Sequence, residues 1–406
     1  MTETWTLAAV WIGLALVATL ISIWFRVATA LSEIVVGTVA QLVIGALMGG
    51  AFLGADQSWI KFLSGTGAIL LTFLAGAELD PAVFKLKWKE ASVVGLASFA
   101  APFLGCTAVA YWLLHWSGPA SWLTGVAMST TSVAVVYAVM LELGLNNTRF
   151  GKTLLAACFI TDLGTVVALG LIFSPFTAKT ATFVGASVVV FFLLPWLTPR
   201  FFKRYGGRPS ELEAKYLLFF LFGMGALALW AESEAVLPAY LIGMVLAGTV
   251  GKDHVLVRRL RTLTFGLLTP FYFIRAGSLV SVSALFAAPG ILLLLLVSKV
   301  LFKMTAVWPA TQWFNRRRDR EGRIEGIYTT LLMSTGLTFG SIASLFGLSH
   351  GIIDTAQYSY LVAAVILSAV IPTVIANAFY LPRHLLAEPA NDPSETLAAT
   401  QPNQTP

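Results

Sequence analysis

Apolar runs of about twenty residues follow one another along nearly the whole chain, separated by short polar stretches that carry most of the charge. A helix needs about 20 apolar residues to cross a hydrocarbon core of about 30 Å. The pattern predicts thirteen membrane-spanning helices, near 6–25, 34–54, 63–79, 91–114, 121–141, 152–174, 180–196, 214–233, 236–250, 264–281, 290–309, 326–347 and 356–381. The fold class expected is therefore an all-α polytopic membrane protein. Thirteen divides as six, one and six, so the second six begin on the side opposite to the first. That is the arithmetic of two inverted-topology repeats joined by the helix at 180–196.

Lysine and arginine orient the spans. With the N-terminus outside, the inner loops hold Arg26, Lys85, Lys87, Lys89, Arg149, Lys152, Arg200, Lys203, Arg204, Arg208, Lys215, Lys252, Arg258, Arg259, Arg261, Arg316, Arg317, Arg318, Arg320, Arg323 and, beyond the last span, Arg383; the outer loops keep Lys61 and Lys179. This places the C-terminus in the cytoplasm and the protein in the cell membrane. The same asymmetry explains the net charge of +6 without any nucleic-acid partner. The opening MTETWTLAAVWIGL has no basic stretch before its apolar run, so it reads as a first span and not a removable signal. Residues 387–406 are polar and are expected to form a disordered cytoplasmic tail. Cys106 and Cys158 fall inside spans and read as packing residues, and the four histidines show no metal-ligand spacing.

Against this background four charges stand out because they lie within spans: Asp162, Arg275, Lys299 and Lys303. Asp162 is ten residues from the nearer end of Lys152–Phe173, about 15 Å deep. A charge there costs at least about 2.5–3.5 kcal/mol on insertion scales, and such residues mark ion paths or proton relays. Lys299 is about equally deep and reads as a counter-charge or a cavity-facing group. Lys303, one turn closer to the inner side, reads as a snorkelling lysine. Arg275 fits either a structural ion pair or an outer headgroup contact. Glu78, Asp80, Glu232 and Glu234 read as solvated carboxylates at span ends.

The fifth span carries Ser129, Thr130, Thr131 and Ser132 in succession; its topological mate, the twelfth, carries Ser334, Thr335, Gly336, Thr338, Gly340 and Ser341. Hydroxyl groups can re-satisfy backbone atoms freed where a membrane helix unwinds. Two such interrupted spans in matching halves point to a binding site between them. One carboxylate beside such breaks can hold either a proton or a monovalent cation, with backbone carbonyls and hydroxyls completing an oxygen shell.

These segments have a recognisable order. GTGAILLTFLAGAELD, then STTSVAVVYAVMLELGLNNTRFGKTLLAACFITDLGTVV, then PFYFIRAGSLV and the Lys299 segment resemble the monovalent cation/proton antiporters of the Kef and Na⁺/H⁺ exchanger type, over nearly all of residues 1–385. The resemblance implies an exchanger domain over 1–386 with two broken helices crossing at the membrane midplane. It implies a dimerisation bundle (1–81 and 214–288), an ion-carrying bundle (90–174 and 290–381) and a linker helix (180–196). It also implies a homodimer exchanging Na⁺ or K⁺ for H⁺ in the lipid bilayer, with no cofactor and no enzymatic activity. Asp162 would be the carrier, with Thr161 and Ser129–Ser132 around it; Lys299, Lys303 and Arg275 would tune its field, and Thr335, Gly336 and Thr338 would form the second break. Relatives place Asp, Gln or Asn before the aspartate, whereas this chain has Thr161. With a single deep carboxylate, exchange is expected to be electroneutral. The rival readings are a sodium/organic-anion symporter of similar architecture, which needs a cavity for a larger solute, and a membrane-embedded enzyme, which needs more Asp, Glu or His at interfacial loops than the chain supplies.

Overall fold

In the computed structural model the described residues are 2–25, 28–48, 53–77, 81–145, 148–173, 177–208, 210–231, 233, 235–314 and 320–386. Glu78, Asp80, Glu232, Glu234, Arg26, Arg316–Arg318 and the tail 387–406 lie outside them. The described residues form helices without strands. In chain order these are α1 (Thr2–Phe25), α2 (Thr29–Met48), α3 (Ser58–Ala77), α4 (Pro81–Ala108), α5 (Gly118–Ser129), α6 (Val133–Glu142), α7 (Arg149–Phe173), α8 (Ala178–Tyr205) and α9 (Leu212–Trp230). There follow α10 (Val236–Leu246), α11 (His254–Leu263), α12 (Thr269–Ser278), α13 (Val282–Ala287), α14 (Pro289–Phe314), α15 (Arg320–Met333), α16 (Thr338–Ser349), α17 (Thr355–Phe379) and α18 (Arg383–Leu386).

Among the described residues nine helices are long and apolar enough to cross a membrane, the stretch Arg320–Ser349 being counted as one across its interruption; Thr29–Val43 and Val236–Leu246 are shorter apolar helices. The protein is thus an all-helical, multi-pass membrane protein. Two details depart from the hydropathy reading. The basic stretch 254–263, expected as an inner loop, is the amphipathic helix α11, which runs through a π-turn at Thr264–Leu268 into α12. The linker helix continues past 196 to Tyr205, with Pro195 and Pro199 inside it.

Packing divides the helices into two sets. The helices α1, α2, α3, α8, α9, α10 and α12 pack mainly among themselves, and α4, α5, α7, α14, α15, α16 and α17 among themselves. The second set is drawn tight where α4 meets α7: a side chain at Gly95 would strike the Ala157 carbonyl and Ile160, so only glycine permits this approach. One polar link between the sets is the Tyr240 hydroxyl of α10, which donates to the Phe159 carbonyl of α7 at 3.0 Å.

Two helices are interrupted. Between α5 and α6 the chain turns extended at Thr130 (φ −62°, ψ 152°), and between α15 and α16 residues 334–337 leave the helix. The hydroxyl residues at each break replace lost backbone bonds, as their chemistry allows. Ser129 Oγ donates to the Val126 carbonyl (2.8 Å) and Thr130 Oγ1 to the Ala127 carbonyl (3.1 Å), serving the end of α5. Ser132 Oγ accepts from the Val135 N–H at 3.4 Å, capping α6. On the other side Ser334 Oγ and Thr335 Oγ1 donate to the carbonyls of Thr330 and Leu332. The breaks then bind each other: the Ser132 N–H donates to the Thr335 carbonyl (3.0 Å) and Thr131 Oγ1 to the Met333 carbonyl (2.9 Å).

Candidate functional site

Asp162 lies midway along α7, beside the crossed breaks, and is 1 % exposed. The Thr131 backbone N–H, released by the first break, is near enough to its carboxylate to favour the charged form. The carboxylate oxygen Oδ1 is buried and has no hydrogen-bond partner. A buried, unpaired carboxylate oxygen is costly, and it offers a site to a proton or a small cation.

Lys299 and Lys303, both on α14, are fully buried. Among the described residues neither lies within 4.0 Å of a carboxylate as an ion pair. The Lys299 Nζ is likewise without a hydrogen-bond partner. It lies against the second break, where a side chain at Gly336 would collide with it and with Thr130 Oγ1. Glycine here is what lets the lysine tip and the first break approach the second.

Lys303 corrects the sequence reading. It does not snorkel; its ammonium is enclosed by Ser98 Oγ of α4 (2.7 Å), the Ser129 carbonyl (2.8 Å) and Thr131 Oγ1 (3.0 Å). Position along a span suggests an interface, but the side chain runs inward because three oxygens freed or offered at the break accept from it. The Thr161 hydroxyl shares its proton between the carbonyls of Gly95 and Ala157, both at 3.1 Å, and so ties α7 to α4. Arg275 Nε donates to the Ala55 carbonyl at 2.9 Å, which anchors the segment before α3.

Ser129 Oγ also meets Thr165 Oγ1, one turn from Asp162, at 3.2 Å. Thr130, Thr131, Ser132, Thr335 and Gly336 are buried at the crossing, while Thr338 opens α16 and is 8 % exposed. Sequence reasoning missed Ser98, one of two serines in an apolar run that gave no signal. It also missed Glu33, drawn just outside the second span but 3 % exposed in α2. Among the described residues no group of three or more His, Cys, Asp or Glu is arranged to hold a metal ion.

A cavity of about 390 Å³ enters the second helix set beside Lys87, Glu90, Arg149 and Glu325. It is lined at Val94 and Ala157, each one helical turn from Ser98 and Thr161 respectively. A hydrogen-bonded pair, His384 Nε2 and Glu325 Oε1 at 2.7 Å, ties α18 to α15, whose Glu325 lines this cavity.

Comparison with known proteins agrees with this architecture. A chain solved as the sodium proton antiporter MjNhaP1 from Methanocaldococcus jannaschii, at pH 8, superposes with a TM-score of 0.69 over 96 % of this chain and 99 % of that one, at 16 % identity. In sequence the chain is 27 % identical over 378 residues to the probable Na⁺/H⁺ antiporter 3 of Methanocaldococcus jannaschii, covering 89 % of this chain and 95 % of the relative. It is 24 % identical to the Na⁺/H⁺-K⁺ antiporter GerN of Bacillus cereus, covering 84 % and 89 %. With the glutathione-regulated potassium-efflux protein KefC of an Enterobacter strain it shares 27 % identity over 66 % of this chain and 45 % of the relative. The family model for the transmembrane sodium/hydrogen exchanger matches residues 12–379, and the chain therefore belongs to that family.

Proposed function

We propose that this protein is a secondary antiporter that exchanges a monovalent cation, Na⁺ or K⁺, for H⁺ across the cell membrane. The observation that carries the reading is Asp162: a buried carboxylate with one unpartnered oxygen, set against two crossed helix breaks. Its chemistry is competitive. A proton neutralises the carboxylate by covalent bonding, and a stripped cation neutralises it by coordination, so each displaces the other. In this reading the further oxygen for the cation comes from Thr130, which has a hydroxyl and an extended backbone at the break. The Na⁺/H⁺ and K⁺-linked names of the relatives support both cations as substrates. Nothing here requires bond-making on a substrate, and the family is one of transporters, not enzymes.

Alternating access follows from the two helix sets. The set α4–α7 with α14–α17 carries Asp162 and both lysines, and it moves against the set α1–α3 with α9–α12, which forms the homodimer; α8 links them. The lysine and arginine census supports an outer N-terminus and an inner C-terminus. Coupling is one-for-one. Among the described residues Asp162 is the single deep carboxylate beside the breaks, and Thr161 brings no second charge. Lys303, held by three acceptors, is engaged in structure and not free to cycle.

Purified protein in liposomes tests the reading. Under an imposed pH gradient, Na⁺ or K⁺ added singly should drive proton movement, and an imposed membrane potential should leave the rate unchanged. Absence of a response to either cation refutes antiport, and acceleration by voltage refutes one-for-one coupling.

A further inference from the structure

Three oxygens surround the Lys303 Nζ at 2.7, 2.8 and 3.0 Å: a serine hydroxyl, a main-chain carbonyl and a threonine hydroxyl. Two of them can only accept. The Ser129 carbonyl has no proton to give, and Thr131 Oγ1 spends its own on the Met333 carbonyl. The Nζ donates to the Ser129 carbonyl and to Thr131 Oγ1, and the Ser98 hydroxyl completes a ring of three oxygens around it. These ligand types are those that strip and hold a monovalent cation. Their distances suit an ammonium or a bare potassium ion better than the smaller sodium or lithium. The cage is fully enclosed, since Ser98, Ser129, Thr131 and Lys303 are all buried.

We propose that the Lys303 ammonium is a tethered cation filling a potassium-sized oxygen cage, and that it thereby determines which cations the neighbouring site admits. The inference rests on the antiport reading only for its consequence, not for the cage. By occupying the Ser129 carbonyl and the Thr131 hydroxyl, the tether withdraws them from the transported ion. That ion is left with Asp162 and the oxygens at Thr130. The tether also balances the carbonyl end of α5, where the half-helix dipole presents negative charge. A role confined to that dipole would be met by any cation of the right charge, whereas a cage discriminates by size.

Removing the tether should therefore open a selective cation site. Four purified proteins decide it: wild type, Lys303→Ala, Lys303→Met, which refills the space without charge, and the double variant Lys303→Ala with Asp162→Asn. Melting temperature is read in KCl, RbCl, NaCl and LiCl at one ionic strength. Lys303→Ala is expected to be stabilised by several degrees in KCl or RbCl over LiCl, with no such gain in Lys303→Met. The double variant should keep the preference for K⁺ or Rb⁺ over Li⁺, with weaker binding now that the carboxylate charge is gone, because the cage oxygens do not include Asp162. In transport, the ratio of apparent KM for K⁺ to that for Na⁺ should fall several-fold in Lys303→Ala. A melting temperature indifferent to cation size overturns the proposal. So does a gain that disappears with Asp162→Asn, which would place the ion at the carboxylate. Failure of Lys303→Ala to remain monodisperse in KCl overturns it too. Antiport itself is judged separately on the wild type: no cation-driven proton movement there would refute the transport reading while leaving the cation response of Lys303→Ala intact.

Discussion

Asp162→Asn removes the charge from the site and leaves its shape. The amide oxygen can still face the Thr131 backbone N–H, and the side chain keeps its volume within a packed helix. What is lost is the group that binds a proton or a cation. A monovalent ion entering the same buried position would lack a counter-charge. Insertion scales put a lone charge at mid-depth at about 2.5–3.5 kcal/mol. At 1.4 kcal/mol per factor of ten this weakens cation binding by roughly 60–300-fold. Proton carriage is lost altogether, so exchange should fall to the level of empty liposomes. Stability should change little, because the substitution breaks no hydrogen bond and takes away an uncompensated buried charge. The assay is cation-driven movement of a pH dye in liposomes. A parallel measurement of size-exclusion profile and melting temperature shows that the variant is folded. Wild-type exchange in a monodisperse Asp162→Asn protein would refute the reasoning, and so would a loss of exchange explained by a collapsed melting curve.

Three further outcomes are expected. Gly336→Val puts a branched side chain where a single Cβ already meets the Lys299 tip and Thr130 Oγ1; overpacking of this kind costs about 1–3 kcal/mol, and both exchange and melting temperature should fall, with Gly336→Ala milder, whereas normal exchange in Gly336→Val would show that the breaks need not touch. Thr161→Val leaves the Gly95 carbonyl without its hydroxyl donor, a loss of about 1–3 kcal/mol, so the melting temperature should drop while the apparent KM for the cation is unchanged; a raised KM would return Thr161 to the ion's shell. In a background without Cys106 and Cys158, a cysteine at Lys61 should react with an impermeant maleimide in intact cells and one at Arg258 only after permeabilisation, and the reverse pattern would invert the topology.

Much of the architecture was legible in one dimension because the bilayer imposes a one-dimensional constraint. A span must be long and apolar, and its flanking charge must respect the membrane's asymmetry, so length, hydropathy and the Lys/Arg census speak directly to a helical multi-pass fold. Helix α11 shows where that logic stops. Its ten residues carry three arginines and read as loop, yet they form an amphipathic helix because helix formation needs a face to bury, which mean hydropathy does not register.

The sequence alone determined the depth of Asp162 and the positions of both helix breaks, since four consecutive hydroxyl residues, or a Ser-Thr-Gly run, stand out in any apolar span. It could not determine partners. Lys299 and Lys303 are one turn apart on the same helix and look alike in the chain. Only the packing of α4, α5 and α14 gives Lys303 three acceptors and leaves the tip of Lys299 free of them. Thr161 adjoins Asp162 in sequence, but successive residues on a helix point about 100° apart, and its hydroxyl reaches Gly95 on α4 while the Thr131 backbone at the first break acts on the carboxylate. Ser98 joins the site from more than thirty residues away, carried there by the close approach of α4 to the first break. Depth is a property of position along the chain; coordination depends on which oxygens converge in space, and that is decided by tertiary packing.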